Sequence, residues 1–180
     1  AYSVPLDGPE TVTGYKVGTT LMLYFDEVAA AEEYRIYKNG GLLLTTQYPV
    51  AAIENAGNET YGVSVVVEGR ESATTPVVTT PAPAGMADKS ALFNALQSYG
   101  GKIVNQSGFK GVQVAYILAQ PQAEKVLLNI AASQEDVDIA ARDLVDAATK
   151  ENIFKGKSIT GTEPYSANYT LAKMLDGNLA

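Results

Sequence analysis

The hydrophobic pattern of this chain changes period across Thr79-Thr80-Pro81-Ala82-Pro83-Ala84-Gly85, and no single layer of secondary structure can satisfy both halves. Before that stretch, short β-branched and aromatic runs alternate at period two between Gly and Asn signals, as half-buried strands do. After it, apolar residues recur every three or four positions, as on one face of a helix. The Pro-rich, small-residue stretch itself has the composition of a stiff linker with nothing to contribute to a core. The expected order is therefore strands, a joint, then helices.

In the first half, Leu21, Leu23 and Phe25 share one face of a strand that ends at the charged turn Asp26-Glu27. Tyr34-Arg35-Ile36-Tyr37 forms a second strand with Tyr34 and Ile36 on one face. Lys38-Asn39-Gly40-Gly41 turns it into Leu42-Leu43-Leu44-Thr45-Thr46, because Asn-Gly accepts the positive φ of a tight hairpin. A polar corner at residues 54–60 leads into Tyr61, Val63, Val65 and Val67, again at period two. Glu68-Gly69-Arg70-Glu71-Ser72 then turns the chain into a last strand around Val77-Val78, for six or seven strands in all.

In the second half, Asp88 is placed to cap a helix over Ser90 to Tyr99, with Leu92, Leu96 and Tyr99 on one face. Ala123, Val126, Leu127 and Ile130 make the stripe of another helix. Ser133-Gln134-Glu135-Asp136 opens a third with a cap and first-turn acids, followed by the stripe Val137, Ala140, Ala141, Leu144 and Ala148. Three helices are needed for each to cover its apolar face.

The chain has no cysteine and no histidine, which removes thiolate metal sites, disulfides and every imidazole-dependent triad. A formal charge of −7 argues against a nucleic-acid partner, and no run of about 18 apolar residues is present to span a bilayer. Carboxylates are left as the strong acid/base candidates. The densest group, Glu135, Asp136, Asp138, Asp143 and Asp146, is compatible with a calcium or glycosidase pair. Complementarity to a helix dipole and a solvated outer face explain the same residues with no ligand. The 11 tyrosines could stack on sugar rings, but Tyr24, Tyr34 and Tyr61 fit core or rim positions better. Asn58, Asn105 and Asn168 match the glycosylation pattern, which in a bacterial chain would usually be coincidence.

Residues 1–81 resemble a fibronectin type III domain through the Tyr34-Arg35-Ile36-Tyr37 strand, the corner running from Gly57 to Val65 and the Glu68-to-Ser72 turn. The resemblance implies an immunoglobulin-like β-sandwich. It also implies a corner tyrosine at Tyr61 whose hydroxyl caps a backbone group, and Leu23 or Phe25 filling the volume of the family's absent Trp. After a linker at 82–87, residues 88–150 resemble a FIVAR domain, a small three-helix module of bacterial surface proteins. The opening Asp88-Lys89-Ser90-Ala91-Leu92 and the segment from Ala131 to Ala141 carry this likeness. Gly100-Gly101, Gly108, Gly111 and Pro121 interrupt the smoother helix of that family.

Residues 151–180 are similar to the start of a discoidin-like (coagulation factor 5/8 C-type) galactose-binding module. The signals are Lys155-Gly156-Lys157-Ser158-Ile159-Thr160 and Leu175-Asp176-Gly177-Asn178. The likeness implies an incomplete β jelly-roll, glycan binding through that module, and a structural calcium ion with Asp176 and Asn178 among its oxygen ligands. A piece this short needs support, so 152–180 are expected to pack on another polypeptide, on the rest of the same protein or on the helices.

Together these likenesses imply a multi-domain chain: a sandwich, a helical bundle and a C-terminal β segment. They point to an extracellular or cell-surface location and a chain beginning at Ala1 whose export signal lies upstream. They also imply an accessory, non-catalytic region of a bacterial multimodular glycoside hydrolase, with no cofactor beyond the calcium. The stalk of a surface adhesin is the alternative.

Overall fold

The computed structural model describes residues 6–100 and 111–149. Within them the strands are β1 (Val12–Val17), β2 (Thr20–Phe25), β3 (Glu33–Lys38), β4 (Gly41–Thr46), β5 (Val50–Ile53), β6 (Tyr61–Val67), β7 (Arg70–Glu71), β8 (Thr75–Pro76) and β9 (Val78–Pro81). The helices are α1 (Ser90–Tyr99), α2 (Gly111–Leu128) and α3 (Gln134–Thr149). One sheet has the order β5-β2-β1-β9 and the other β4-β3-β6-β7, with β8 also paired to β6. Pairing is antiparallel except where β9 runs parallel to β1. The expected sandwich followed by helices is what forms.

The hairpins follow from local chemistry. Asn39 and Gly40 adopt φ of 51° and 81°, and Glu68 and Gly69 adopt 51° and 69°. Two successive positive values give the two-residue turn whose twist matches its flanking strands. Leu43 is the extra residue of a bulge, since Ile36 pairs with Leu44 and Tyr37 with Leu42. Between the sheets, Leu21, Leu23, Tyr34, Ile36, Val63 and Val65 are buried. Leu23 is fully buried, and the Phe25 ring lies 4.9 Å from that of Tyr34.

Sequence periodicity differs from the structure on β2 and β5. Met22 is as inaccessible as Leu23, and Val50, Ala51, Ala52 and Ile53 are all buried. Inner residues face the second sheet. Thr20, Met22 and Tyr24 leave the opposite face, where Thr20 Oγ1 meets Asp88 and the Tyr24 ring meets Lys89. The helices thus cover the outer face of one sheet, and the buried residues of strands and helices form one hydrophobic cluster.

The joint also departs from a free linker. Pro81 closes β9, and Ala87 is buried in that shared cluster. The cap position of α1 falls on Lys89 and carries no side-chain cap, one residue later than expected; Asp88, just before it, still accepts the Ser90 N–H on Oδ1 at 2.9 Å. In α1 the buried residues are Leu92, Phe93, Ala95 and Leu96.

α2 runs unbroken from Gly111 through Pro121, two of the residues expected to interrupt it. Proline cannot donate to the carbonyl four residues back, that of Ile117. Both residues are solvent-exposed, so water can take the free acceptor. α3 begins as its sequence indicates. Ser133 Oγ accepts the Asp136 N–H at 3.1 Å, and Asp136 Oδ2 accepts the Ser133 N–H at 3.2 Å. Ser133→Ala is expected to lower stability by about 1 kcal/mol, read as a shift in urea midpoint at unchanged slope. An unchanged midpoint would show that the cap contributes nothing.

Candidate functional site

Asp176 and Asn178, the expected calcium ligands, lie outside the described residues, as do Asn105, Asn168 and the whole of 151–180. Among the described residues no cluster of three or more acidic side chains is arranged to hold a metal ion. The acidic group on α3 is instead spread among local partners. Asp136 caps the helix, Asp138 accepts from Gln134, and Asp143 pairs with Arg142 at 3.2 Å.

The tyrosines are where core or rim packing puts them. One expectation changes: the Tyr61 hydroxyl donates to the Glu59 carboxylate at 3.1 Å and not to a backbone group. The hydroxyl that serves the backbone is that of Tyr34, which accepts the Val28 N–H at 2.9 Å. The reason is local. Glu59 folds back over the corner, taking the Gly57 N–H and the Lys38 ammonium as well, so it presents the nearest acceptor to Tyr61. The Lys38 ion pair, with these hydrogen bonds, lowers the Glu59 carboxyl to about 2.

On the outer face of the β3–β6–β7 sheet, Glu71 is a hub that neither composition nor periodicity marks. It accepts from Ser64 Oγ at 2.6 Å, Tyr37 Oη at 2.5 Å and Arg35 at 2.6 Å, and Arg35 also pairs with Glu33 at 2.8 Å. Bonds from Ser64, then Tyr37 and Arg35, hold its carboxyl below the usual range. Register brings the set together, since Arg35 pairs across with Ser64 and Val66 with Glu71. Every acceptor is occupied, so the hub stiffens a sheet face and presents no free acid or base.

The most specific polar arrangement lies between the sheet and the helices. Lys89 is fully buried, yet no carboxylate among the described residues pairs with it. Its Nζ donates to the carbonyl oxygens of Val126 at 3.1 Å, Leu127 at 3.0 Å and Asn129 at 2.5 Å, at the carboxyl end of α2. The Tyr24 ring lies 5.5 Å away. Burial pushes the Lys89 amine down to about 8 and, with Tyr15 nearby, the Tyr24 hydroxyl up to about 12. Around this centre Tyr48 Oη donates to Glu124 at 3.0 Å, Asn94 to Glu54 at 3.0 Å and Gln97 to the Thr45 carbonyl at 2.6 Å. A shallow cleft of about 300 Å³ opens at the opposite, carboxyl end of α1, lined by Glu32, Glu33, Tyr48, Gln97 and Gly100 among others.

Lys89 was legible only as part of a helix start. A buried lysine has no sequence signature, because its partners are backbone carbonyls that any residue supplies.

No protein-family model matches the chain, and no curated protein sequence matches it. By its fold the chain is a mostly antiparallel β-sandwich carrying three helices on one sheet. No described helix is long and apolar enough to cross a membrane.

Proposed function

We propose that this chain is a non-catalytic accessory region, both spacer and carbohydrate-targeting arm, of a secreted or cell-surface bacterial glycoside hydrolase whose catalysis lies in other residues. The observation that supports this best is the joint. The strands pass into the helices through buried Ala87 and Lys89, and the two layers share a single hydrophobic cluster. An arm of this kind keeps a fixed reach, whereas a free tether would spread its ends over many positions.

In this reading, residues 1–81 act as a fibronectin type III-like spacer and 88–150 as a FIVAR-like one. Residues 151–180 begin the discoidin-like module that meets glycan, with Asp176 and Asn178 holding its calcium ion. Tethering then raises the enzyme's effective concentration at a glycan surface without touching its chemistry.

The test is deletion of this region from the parent protein, assayed on two substrates. Turnover of insoluble or surface-bound glycan is expected to fall on the order of a hundredfold, with turnover of a soluble nitrophenyl glycoside unchanged. Equal activity on both substrates would reject the targeting role. A parent protein with no glycosidase activity would favour the adhesin stalk instead.

A further inference from the structure

We infer that Lys89 is a latch that holds the α2–α3 hairpin against the sandwich, and that without its amine the hairpin opens independently of the strands. The inference concerns the joint alone and does not depend on the glycan reading.

The last turn of any helix leaves carbonyl groups without intrahelical donors. A glycine beyond the helix end commonly allows the chain to curl back and satisfy them. α2 is followed by Asn129-Ile130-Ala131, with no glycine, so its terminal carbonyls need a donor from elsewhere. Lys89 supplies it from the segment entering α1, and its positive charge meets the negative end of the α2 dipole.

The adjacent Asp88 fixes that segment to the sheet. Its Oδ2 accepts from Thr20 Oγ1 of β2 at 2.7 Å while Oδ1 accepts the Ser90 N–H at 2.9 Å. One dipeptide thus ties β2, the start of α1 and the end of α2 together. Among the described residues the other polar ties to the hairpin are Gln134 of α3 to the Asp88 backbone, at 2.9 and 3.2 Å, and Tyr48 to Glu124; the contacts of Asn94 and Gln97 belong to α1. Removing the amine leaves the Val126 and Leu127 carbonyl oxygens without that donor, while the Asn129 oxygen keeps the Ala132 N–H at 3.0 Å, and the cost falls on the α2 end and not on the sheets.

The experiment is residue-resolved amide exchange on the full chain, wild type against Lys89→Met, which keeps the apolar stem. Exchange in α2 and α3 is expected to accelerate on the order of a hundredfold while β2, β3 and β6 change by less than about threefold. Unchanged helices, or strands and helices accelerating together, would overturn the inference. If the variant does not fold, wild-type exchange in low urea decides. Opening of α2 and α3 as a unit before β2 and β6 is expected, and a single global opening for all of them would overturn it.

Discussion

Met22→Ala is expected to cost about 2 to 4 kcal/mol of unfolding free energy, as much as Leu23→Ala, although the two side chains leave β2 on opposite faces. In a two-layer sandwich the outer residue would face water, and truncating it would cost little. Here both are fully buried, and the helices that cover the outer face also bury Ala52, the cross-strand neighbour of Met22. Removing the Met22 side chain therefore loses transfer free energy and leaves a cavity whose walls, a sheet and a helix, cannot both close on it. Urea unfolding of the two variants side by side measures this. A cost below about 1 kcal/mol for Met22→Ala with a normal cost for Leu23→Ala would show that the helical layer does not cover β2 in solution.

Stability is expected to rise between pH 8 and about 10 and then to fall, a maximum on the alkaline side of neutrality. The Lys89 amine titrates near 8 when folded and at 10.5 when exposed. Between those values the unfolded chain holds the proton that the folded chain has lost, so stability increases with pH by up to about 3 kcal/mol. The neutral amine keeps two N–H donors, so two of the three hydrogen bonds to the α2 end survive the loss of charge.

Above 10 the sign reverses. Unfolded tyrosines ionise at 10.0 while folded Tyr24 keeps its proton to about 12, and burial raises Tyr34 and Tyr116 in the same direction. The folded state then binds more protons, and stability declines with pH. Urea midpoints at pH 7, 9.5 and 11 trace the curve, and Lys89→Met is expected to flatten its rising limb. A wild-type midpoint that falls steadily from pH 7 would contradict the assignment.

The contrast between Met22 and Leu23 marks what sequence reading reaches. Period-two patterning placed Leu21, Leu23, Tyr34, Ile36, Val63 and Val65 correctly, because each meets its neighbours across a sheet at fixed spacing. It passed over β1 and β5 as separate strands. β5 is a four-residue run with two alanines, buried on both faces, and so carries no alternation. It also placed breaks at Gly111 and Pro121, where packing against α3 and exposure of the Ile117 side keep α2 continuous. Of the candidate site, Asp88 was legible as a residue of the helix start, one position off the cap itself, because its partner, the Ser90 N–H, is two residues away. Glu71 and Lys89 were not, since their partners lie in other strands or in the backbone of another helix.

The sequence by itself determined the order of strands and helices, the hairpins at Asn39-Gly40 and Glu68-Gly69, the cap at Ser133, and the absence of imidazole and thiol chemistry. These are matters of local backbone preference and composition, which act within a few residues. Only the tertiary structure decided that the helices lie on the outer face of β2 and β5, and that a buried lysine closes the end of α2. Both depend on surfaces brought together from distant parts of the chain. There burial makes a hydrogen bond or a methyl group matter far more than its residue type foretells.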